Sequence, residues 1–600
     1  MVVVIAATTG LAMVAGGTAL HAGAGARVGS AAWNSVAPGR FVDLSFAGKP
    51  GDFYRANLRF NLHVNDVVVT VFNQSELQEW LERPGVPPEA GEGRPARVVV
   101  PGPYADPNFS DVVVEFFVHV PGTYHLIVWN NASQDSMRFR AWTGLVGKNY
   151  LKGWALAAAG VVVALSSAAA WAWHRHLWAA STFCACLAVK VGAFALGITR
   201  ATTWASDLFP PAWEVYEDYK VYYIYWVDHV GRWSLLEAYS LPSYIYAPSF
   251  IATLFPFGRL VPGWWGLAIP LFAFNAATGL AAHDLARTAG LGERAPLAAM
   301  VACLLSPIDL LYSNYAWLNP SPFVFFCVLS TCFLARRWHV AAAFVAGVAT
   351  TFKQFGATFL PLVVAAIVAW DAPPPRRLAK SLKVAGACAA FAGPVLLVSV
   401  PFLFHDPWTY FNQVLGRNTF FGATEYLDRD AYWFGSSINA VTPFKALGAP
   451  APLTSGLAAV VASYVPLLVS VAAACSLVAF RGARDGRDLG RRIVLGAAAL
   501  VLSLHLFYPR GSYKYYLLLL TPFASVAFQP SFWRGRGDGT SPTVLDAGVP
   551  LATGALVVVL WRAIYFFLVF GALVACVAKL SRRGASNVAG GEPRVARENS

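Results

Sequence analysis

Several acidic and basic residues with clear chemical potential lie beside apolar runs. Asp207 stands alone, whereas Glu217 and Asp218 are adjacent. Lys353 separates two apolar runs, and Arg510 and Lys514 share one short aromatic turn. Transfer of a group from a phosphate carrier to a hydroxyl needs a base for the hydroxyl and cations for the departing phosphate. The residue types needed for such a transfer are therefore present.

Residues 205–232 predict a helix with an aromatic face. At helical spacing one face carries Tyr219, Tyr223, Trp226, Val230 and Trp233, and the neighbouring face carries Asp218, Tyr222, Tyr225, His229 and Arg232. This pattern predicts an interfacial helix that holds a carboxylate at the depth of lipid headgroups. The alternative is an ordinary interfacial helix whose charges are only solvated.

The elements that position these residues are predicted to be membrane-spanning helices. The chain of 600 residues is 57% hydrophobic and only 13% charged, with a mean hydropathy of +0.51. Apolar runs recur at 150–173, 177–199, 262–283, 296–312, 321–335, 339–352, 355–370, 384–404, 456–480, 493–508, 514–529 and 548–577. Lipid leaves no partner for an unpaired backbone amide, so these runs predict a polytopic α-helical membrane protein with 12–13 spans. Disorder, collagen and outer-membrane barrels are excluded.

The first 148 residues differ from the rest. Residues 1–22 are an apolar run that predicts either a signal peptide or a transmembrane anchor, and the sequence leaves that choice open. Residues 23–148 contain short Val-rich and aromatic runs separated by turn residues, which predict an extracytoplasmic β-sandwich of six or seven strands. Three N-x-Ser/Thr sites, at Asn73, Asn108 and Asn131, support an exterior position for this domain.

Basic short loops set the predicted topology. The 45 Lys and Arg against 32 Asp and Glu give a net charge of +13, which basic cytoplasmic loops explain without nucleic-acid binding. Two long loops, 200–261 and 405–455, then lie outside and are expected to carry function. Residues 531–600 hold the last membrane segment and a basic tail. The run at 548–577 is either one span or a hairpin broken near Arg562.

Motifs within 149–530 resemble those of the GT-C superfamily of polytopic glycosyltransferases, which use polyprenyl-phosphate or dolichyl-phosphate sugars. The similarity lies in Asp218-Tyr219-Lys220-Val221-Tyr222-Tyr223, Gly231, Tyr244-Ile245-Tyr246-Ala247-Pro248, Asn319-Pro320-Ser321-Pro322, and Lys353 followed by Leu360-Pro361. The resemblance is to the mannosyltransferases of that superfamily. The N-terminal β domain lies outside the usual pattern of the superfamily.

The resemblance implies a role for each candidate residue. Asp218 is the expected catalytic base, with adjacent Glu217 as an alternative and Asp207 as a rival. Lys353, Arg510 and Lys514 are expected to bind the donor phosphate. The candidate substrate and acceptor residues are Tyr222, His229, Tyr246, Asp309 and Arg417. Snorkelling of Lys353, interfacial anchoring at the 508–516 turn and simple solvation of Asp309 remain the structural alternatives.

Other polar residues predict structural roles. Lys190 and His505 lie inside apolar runs and are expected to pair within the bundle. The eight cysteines fall in apolar segments, without metal spacing, so neither a disulfide framework nor a metal site is expected. No phosphate-binding glycine-rich motif occurs in a suitable context, which disfavours a soluble nucleotide-sugar donor. No cofactor is expected.

Three functions compete. The leading one transfers a hexose, mannose by preference, from a polyprenyl or dolichyl phosphate to a lipid-linked or glycan acceptor on the extracellular or lumenal face. The second is a protein or oligosaccharide transferase of the same superfamily, whose β domain recruits a polypeptide. The third is a transporter or lipid flippase. The concentration of acidic residues in one exterior loop and the lack of an internal repeat argue against transport.

Overall fold

The computed structural model describes most of the chain. The described residues are 6–14, 27–28, 34–38, 40–49, 53–60, 67–82, 97–99, 110–117, 121–130, 137–147, 150–203, 219, 223, 226–227, 230, 234–240, 244, 246–260, 264–318, 321–370, 377–416, 437–480, 486–509, 511–534, 544–560 and 562–581.

The N-terminal region forms two antiparallel sheets. Its strands are β1 (Arg27–Val28), β2 (Asn34–Val36), β3 (Phe41–Gly48), β4 (Phe53–Phe60), β5 (Val67–Asn73), β6 (Arg97–Val99), β7 (Ser110–Phe117), β8 (Gly122–Asn130) and β9 (Met137–Gly147). One sheet has the order β1-β9-β4-β7-β6 with β2 also paired to β9, and the other has the order β3-β8-β5. The Val-rich runs that predicted strands are therefore strands.

Strand β8 is buried on both faces. Its residues Leu126 and Val128 share a hydrophobic cluster with Leu58 of β4 and Phe139 of β9, which belong to the other sheet. Its alternate residues Ile127 and Trp129 pack with Phe72 and with Leu77 of a helix, Gln74–Leu81. Because successive side chains of a strand point to opposite faces, this alternation places β8 between the β1-β9-β4-β7-β6 sheet and the helix. The sandwich itself stays a prediction.

Helices dominate the chain from residue 150 onward. We number the helices α1 (residues 6–14), α2 (Gln74–Leu81), α3 (Tyr150–His174), α4 (Trp178–Thr203), α5 (Pro248–Leu260), α6 (Ala268–Thr288), α7 (Ala295–Leu304), α8 (Ser321–Ala335), α9 (His339–Phe352), α10 (Phe359–Trp370), α11 (Arg377–His405), α12 (Pro407–Phe411), α13 (Thr442–Ala446), α14 (Ala451–Ala462), α15 (Val465–Phe480), α16 (Gly486–Phe507), α17 (Thr521–Ala527), α18 (Pro530–Arg534), α19 (Leu545–Val559) and α20 (Arg562–Ser581). Short 3₁₀ turns cover Leu236–Ser240, Trp264–Leu267, Gln354–Thr358 and Lys514–Leu518, and π-helical turns cover Asp309–Tyr315 and Asn412–Gly416. Short strands β10 (Ser437–Ile438) and β11 (Ser512–Tyr513) pair with each other.

Five helices are long and apolar enough to cross a membrane: Gly153–His174, Trp178–Ile198, Leu378–His405, Gly486–Phe507 and Ile564–Ser581. The number rises to seven if the bent pairs Ala295–Leu304 with Asp309–Tyr315 and Ala451–Ala462 with Val465–Ala479 each count as one span. Large apolar side chains on α11 face outward, including Leu397 at 76% and Phe404 at 87% exposure. Such surface suits contact with lipid rather than water.

The span count is lower than the sequence predicts because several apolar runs are short or bent. Breaks follow Leu304, Phe352 and Ala462, and leave helices of 10, 14 and 12 residues before them. A straight helix that crosses the hydrocarbon core needs about 20 residues. Within the described part of the chain the apolar runs are therefore present, and the expected 12–13 complete spans stay a prediction.

The two long loops meet at one end of the helices, which we call the loop end. Tyr239 of the first loop packs 5.0 Å from the ring of Tyr410 in the second. The nitrogen of His405 lies 3.3 Å from the carboxylate of Glu237. Ser437, also in the second loop, pairs with Tyr513 of the later turn. These contacts place the three segments on the same side of the helical bundle.

The short basic loops meet at the opposite end, which we call the basic end. Arg336 forms an ion pair with Asp284, and the Arg491 Nε donates to the Ala289 carbonyl at 3.2 Å. Helices α9 and α16 begin at this end and run to the loop end. Among the described residues, the basic segments around Arg336 and Arg491 therefore lie opposite the long loops, as the predicted alternation requires. The full alternation and the membrane face that each end meets stay predictions.

The last apolar run is a hairpin. Helix α19 ends at Val559 and α20 begins at Arg562. Asp546, at the start of α19, accepts a hydrogen bond from the Ser531 N–H at 2.9 Å, and the Lys579 ammonium, near the end of α20, donates to the Trp533 carbonyl at 3.3 Å. Both outer ends of the hairpin therefore lie beside α18, which decides between the two alternatives for 548–577.

Helix α1 packs closely against α3. A Cβ on Gly10 would lie 2.6 Å from the Gly160 carbonyl oxygen, so neither backbone leaves space for a side chain at this crossing. Close approach through small residues is a common way for apolar helices to associate in membranes. The predicted cleavage zone after α1, at residues 15–26, lies outside the described residues.

Candidate functional site

Lys353 lies at a break in the helical bundle. Helix α9 ends at Phe352, and Lys353 is extended, with φ −154° and ψ 133°, before the 3₁₀ turn Gln354–Thr358. The Gly356 N–H donates to the Lys353 carbonyl at 2.9 Å. A Cβ on Gly356 would lie 2.5 Å from the Thr350 nitrogen. The lack of a side chain at Gly356 therefore lets the turn fold back on α9 and fix the backbone of Lys353.

Four aromatic rings surround the Lys353 ammonium, which we call the Lys353 cage. The distances from Nζ to the ring centroids are 4.1 Å for Tyr516, 5.2 Å for Tyr246, 5.6 Å for Phe355 and 5.9 Å for Phe323. Lys353 itself is only 5% exposed. Cation–π attraction stabilises a partly desolvated ammonium by roughly 0.5–2 kcal/mol without cancelling its charge.

The cage joins segments that are far apart in the sequence. Tyr246 belongs to the first long loop, where its carbonyl accepts a hydrogen bond from the Tyr239 hydroxyl at 2.8 Å. Ser249, at the start of α5, donates to the Thr351 hydroxyl oxygen at 2.9 Å. These bonds tie the first loop to the end of α9, beside Lys353. Lys353 also contacts Tyr516, which belongs to the later basic and aromatic turn. The expected convergence of Lys353, Arg510 and Lys514 on one donor phosphate stays a prediction.

The described aromatic residues of the predicted helix at 205–232 are buried. Tyr219 and Tyr223 are 0% exposed and Trp226 is 1% exposed. Tyr219 packs 5.2 Å from Trp317, and Tyr223 packs 5.1 Å from Phe250. The expectation that this face anchors the helix in the lipid interface is therefore wrong, because the face packs on the helical bundle. The shared face itself is confirmed at its described positions.

A continuous run of rings connects this helix with Lys353. Tyr223 lies 5.7 Å from Trp226, and Trp226 lies 5.4 Å from Tyr246, which contacts Lys353. Tyr219, 5.6 Å from Tyr223, directly follows Asp218 in the sequence. Tyr219, the residue that follows the expected base, therefore belongs to the same run of packed rings as Tyr246 of the cage.

Lys514 is engaged by backbone carbonyls. Its ammonium donates to the Leu560 carbonyl at 2.7 Å and to the Val558 carbonyl at 3.1 Å, and it lies 5.3 Å from the centroid of the Tyr565 ring. These carbonyls end α19, where a cation also complements the helix dipole. The structure therefore places Lys514 as a link between the later turn and the final hairpin, with its ammonium directed to α19.

Asp309 belongs to a different polar cluster. It forms a fully buried ion pair with Lys190 of α4, and it accepts hydrogen bonds from the side-chain amides of Asn275 and Asn314. Lys190 also donates to the Leu304 carbonyl at 3.4 Å. The expected pairing of Lys190 within the bundle is confirmed. Simple solvation of Asp309 is wrong, because the carboxylate lies at a break between α7 and a π-helical turn and is shielded there from solvent.

His505 also pairs within the bundle. Its Nε2 contacts the Tyr565 hydroxyl, and its Nδ1 shares a hydrogen bond of 2.7 Å with the Ser512 hydroxyl. Asn439, in the second long loop, donates to the Pro509 carbonyl at 3.1 Å. These bonds fix the 508–513 turn between the second loop and α20. The 508–513 turn, which leads directly into the 3₁₀ turn that carries Tyr516, is therefore held by both the second loop and α20.

Two charged groups outside the spans have shifted pKa values. The Thr409 backbone N–H, at 3.0 Å, holds the pKa of the Asp406 carboxyl below its ordinary value and caps α12. A hydrogen bond to Asp284 raises the pKa of the Arg336 guanidinium above its ordinary value. Both shifts follow from local structural contacts, at the loop end and the basic end respectively.

Seven expected site residues lie outside the described residues: Asp207, Glu217, Asp218, Tyr222, His229, Arg417 and Arg510. Of the four described ones, Lys353 and Tyr246 come together, whereas Lys514 and Asp309 take part in separate contacts. Sequence reasoning assigned no role to Phe323, Phe355 or Tyr516. A signal for them existed, because each lies within two residues of Pro322, Lys353 or Lys514 in the quoted motifs.

The cage offers one cation and a set of flat apolar surfaces. A buried ammonium can attract a phosphate, and the half-buried rings of Tyr246, Phe355 and Tyr516 can pack against an isoprenoid chain or a sugar ring. Within the residues that the structure describes, no cluster of three or more His, Cys, Asp or Glu could hold a metal ion. The arrangement suits the binding of one anionic group beside the Lys353 ammonium.

Comparison with models of known protein families gives no match, and comparison with curated proteins gives none either. The resemblance to the GT-C superfamily therefore stays a prediction that rests on the sequence motifs.

Proposed function

We propose that this protein is a membrane glycosyltransferase. It transfers a hexose, mannose by preference, from a polyprenyl or dolichyl phosphate to a hydroxyl of a lipid-linked or glycan acceptor on the non-cytoplasmic face. The observation that supports this proposal best is the Lys353 cage at the loop end, where Tyr246 and Tyr516 from distant segments surround one buried ammonium.

The proposed fold is that of a GT-C enzyme with 12–13 spans and an N-terminal β-sandwich. The apolar surface of α11 and the broken helices α7 and α9 support it, since irregular backbone at membrane depth is tolerated where it lines a protein-enclosed cavity. The ordered sheets preceding α3 would lie on the same face as the proposed active site, because α3 runs from β9 to the basic end.

In the proposed reaction the acceptor oxygen attacks the anomeric carbon of the donor sugar. The carbon–oxygen bond to the carrier phosphate breaks, and the phosphate leaves with the electron pair. Asp218 takes the hydroxyl proton, with Glu217 and Asp207 as the alternative bases. Lys353 stabilises the leaving phosphate, and the aromatic surfaces hold the sugar or the isoprenoid chain.

Purified protein in lipid nanodiscs tests the donor class directly. We expect transfer of labelled mannose from polyprenyl phosphate mannose to a lipid-linked glycan acceptor, and no transfer from a nucleotide mannose. Added chelator should leave the rate unchanged, because the proposed phosphate partner is Lys353. Transfer from the nucleotide sugar without a lipid carrier, or loss of activity upon chelation, would contradict the proposal.

One observation favours a transporter as the second candidate. The Lys190 and Asp309 ion pair with Asn275 and Asn314 is an ionisable cluster buried among apolar helices, and such clusters commonly mark ion or proton pathways. Uptake into proteoliposomes driven by an ion gradient, lost upon Asp309→Asn, would support this alternative. Retention of glycosyl transfer in the same variant would separate the cluster from the proposed enzyme site.

A further inference from the structure

A groove at the basic end belongs to no part of the proposed active site. It is a cavity of about 1120 Å³ between the α3–α4 turn and the α6–α7 turn. Its lining includes Trp173, Leu177 and Trp178 on one side and Arg287, Glu293 and Arg294 on the other. The two helical hairpins that form the groove pack together below it, where Cys186 contacts the Met300 and Leu304 cluster.

One wall of the groove is apolar and exposed. Trp173 is 59% exposed and Trp178 is 42% exposed, and their rings meet edge to face at 4.4 Å. Leu177 lies between α3 and α4, two helices that are long and apolar enough to span a membrane. Tryptophan at the end of such helices is typical of the lipid interface. This wall is therefore suited to contact with lipid chains and headgroups.

The other wall carries two guanidinium groups that are available to a ligand. Both Arg287 and Arg294 are exposed, and among the described residues neither side chain forms an ion pair or a hydrogen bond. Other arginines at the basic end are engaged: Arg336 pairs with Asp284, and Arg492 Nε lies 3.0 Å from Asp488. Glu293 is the single carboxylate in the groove lining, so the positive charges outnumber the negative ones.

We propose that this groove binds one anionic phospholipid. The phosphate lies between Arg287 and Arg294, and the acyl chains run along Trp173, Leu177 and Trp178. Guanidinium groups bind phosphate oxygens in a bidentate manner, and basic pockets between helices at the cytoplasmic surface suit anionic headgroups. The cavity exceeds the roughly 300–1,000 Å³ of small-molecule pockets and opens beside spanning helices, which favours an amphipathic lipid over a compact metabolite.

Native mass spectrometry of the full chain with added phosphatidylglycerol or phosphatidylcholine tests the site. We expect tighter binding of phosphatidylglycerol, and Arg287→Gln with Arg294→Gln should weaken it by about tenfold per residue, because each variant removes a charge-assisted hydrogen bond to the phosphate. The matched control, Arg337→Gln with Lys383→Gln, removes two positive charges outside the groove and should leave the affinity unchanged. These four side chains are exposed, so the variants should keep the fold.

A gain-of-affinity variant makes the test independent of any loss of folding. Glu293→Gln removes the only negative charge of the lining and should tighten phosphatidylglycerol binding. Equal binding of the two lipids, equal weakening by the control pair, or weaker binding by Glu293→Gln would each overturn the proposal. The site does not depend on glycosyl transfer, so failure of one proposal leaves the other standing.

Discussion

The Lys353 ammonium lies 4.1 Å from the centroid of the Tyr516 ring, which places a residue at the end of α9 against the turn that follows α16. The contact joins the middle of the chain to its later part at the loop end. Tyr246 completes the junction from the first long loop. Any ligand that meets the Lys353 charge therefore also meets aromatic residues from three separate segments.

Replacement of Lys353 should impair transfer more than it impairs folding. Lys353→Met keeps an unbranched side chain among the rings but removes the charge that we propose stabilises the departing phosphate. Loss of such a contact costs about 2–4 kcal/mol in the transition state, or roughly 30-fold to 1,000-fold in rate. Lys353→Arg should retain part of the activity. The measurement is the turnover of polyprenyl phosphate mannose in nanodiscs.

The control for this variant is Lys383→Met, an exposed lysine on α11. It should keep the wild-type rate. A Lys353→Met enzyme with unchanged turnover and an unchanged KM for the donor would show that the cage only anchors the lysine.

Asp218→Asn should remove the proposed catalytic base and keep the fold. We expect a rate reduction of roughly 10²–10⁴, the usual contribution of a general base. Asp207→Asn serves as the matched variant, because it removes the rival carboxylate. Measured transfer rates that fall for Asp207→Asn and stay near wild type for Asp218→Asn would assign the base to Asp207.

Gly356→Ala should displace Lys353 without changing its charge. The added Cβ would lie 2.5 Å from the Thr350 nitrogen and 2.7 Å from the Ala349 carbonyl carbon, so the turn must move away from α9. Such overpacking costs roughly 1–3 kcal/mol. We expect a lower melting temperature and a higher KM for the lipid donor.

Gly393→Ala on α11 is the control for Gly356→Ala, because no heavy atom lies within 4 Å of the Cβ position. It should melt at or slightly above the wild-type temperature, since alanine has the higher helix propensity. Equal effects of the two substitutions would exclude a special role for the turn.

Much of the helical part of the fold could be predicted from the sequence. The apolar runs at 321–335 and 339–352 coincide with α8 and α9, because the basic residues 336–337 end the first run and the polar break at Lys353 ends the second. The bends within runs such as 296–312 and 456–480 were missed. Their causes are local packing and backbone geometry, such as the left-handed Tyr464 at φ 61°, which hydropathy does not reveal.

The candidate site was predictable only in part. Motif spacing indicated Lys353 and Tyr246, whereas the inward position of Tyr219 and Tyr223 depends on partners such as Trp317 and Phe250. An amphipathic pattern shows that one helix face is apolar, but lipid and protein interior satisfy that face equally well. In the same way, the sequence shows that Lys514 lies in a basic and aromatic turn but not what its ammonium contacts. A phosphate was predicted, whereas the ammonium binds backbone carbonyls at the end of α19.

The Lys190 and Asp309 pair should behave as a coupled unit. Lys190→Met or Asp309→Leu alone leaves an uncompensated charge in the bundle and should destabilise the protein by about 3–5 kcal/mol, whereas the double variant should recover much of that loss. Thermal unfolding in detergent measures the effect. Additive losses in the double variant would show that the two side chains do not stabilise each other.

The hairpin of α19 and α20 gives the final prediction, which concerns topology. Asp546 and Lys579 both contact the segment around α18, so the two outer ends of the hairpin lie on one side and the turn at Leu560 lies on the other.

In a chain whose cysteines are replaced by alanine, Val544→Cys and Ala578→Cys should react with a membrane-impermeant thiol reagent from the same face, and Val559→Cys from the opposite face. Val544 and Val559 are 91% and 61% exposed, so labelling reports the side rather than burial. A single span would instead place Val544 and Ala578 on opposite faces. Because α19 runs from the basic end to Lys514 and α20 returns, we expect the outer positions to label together with Arg175→Cys in the α3–α4 turn.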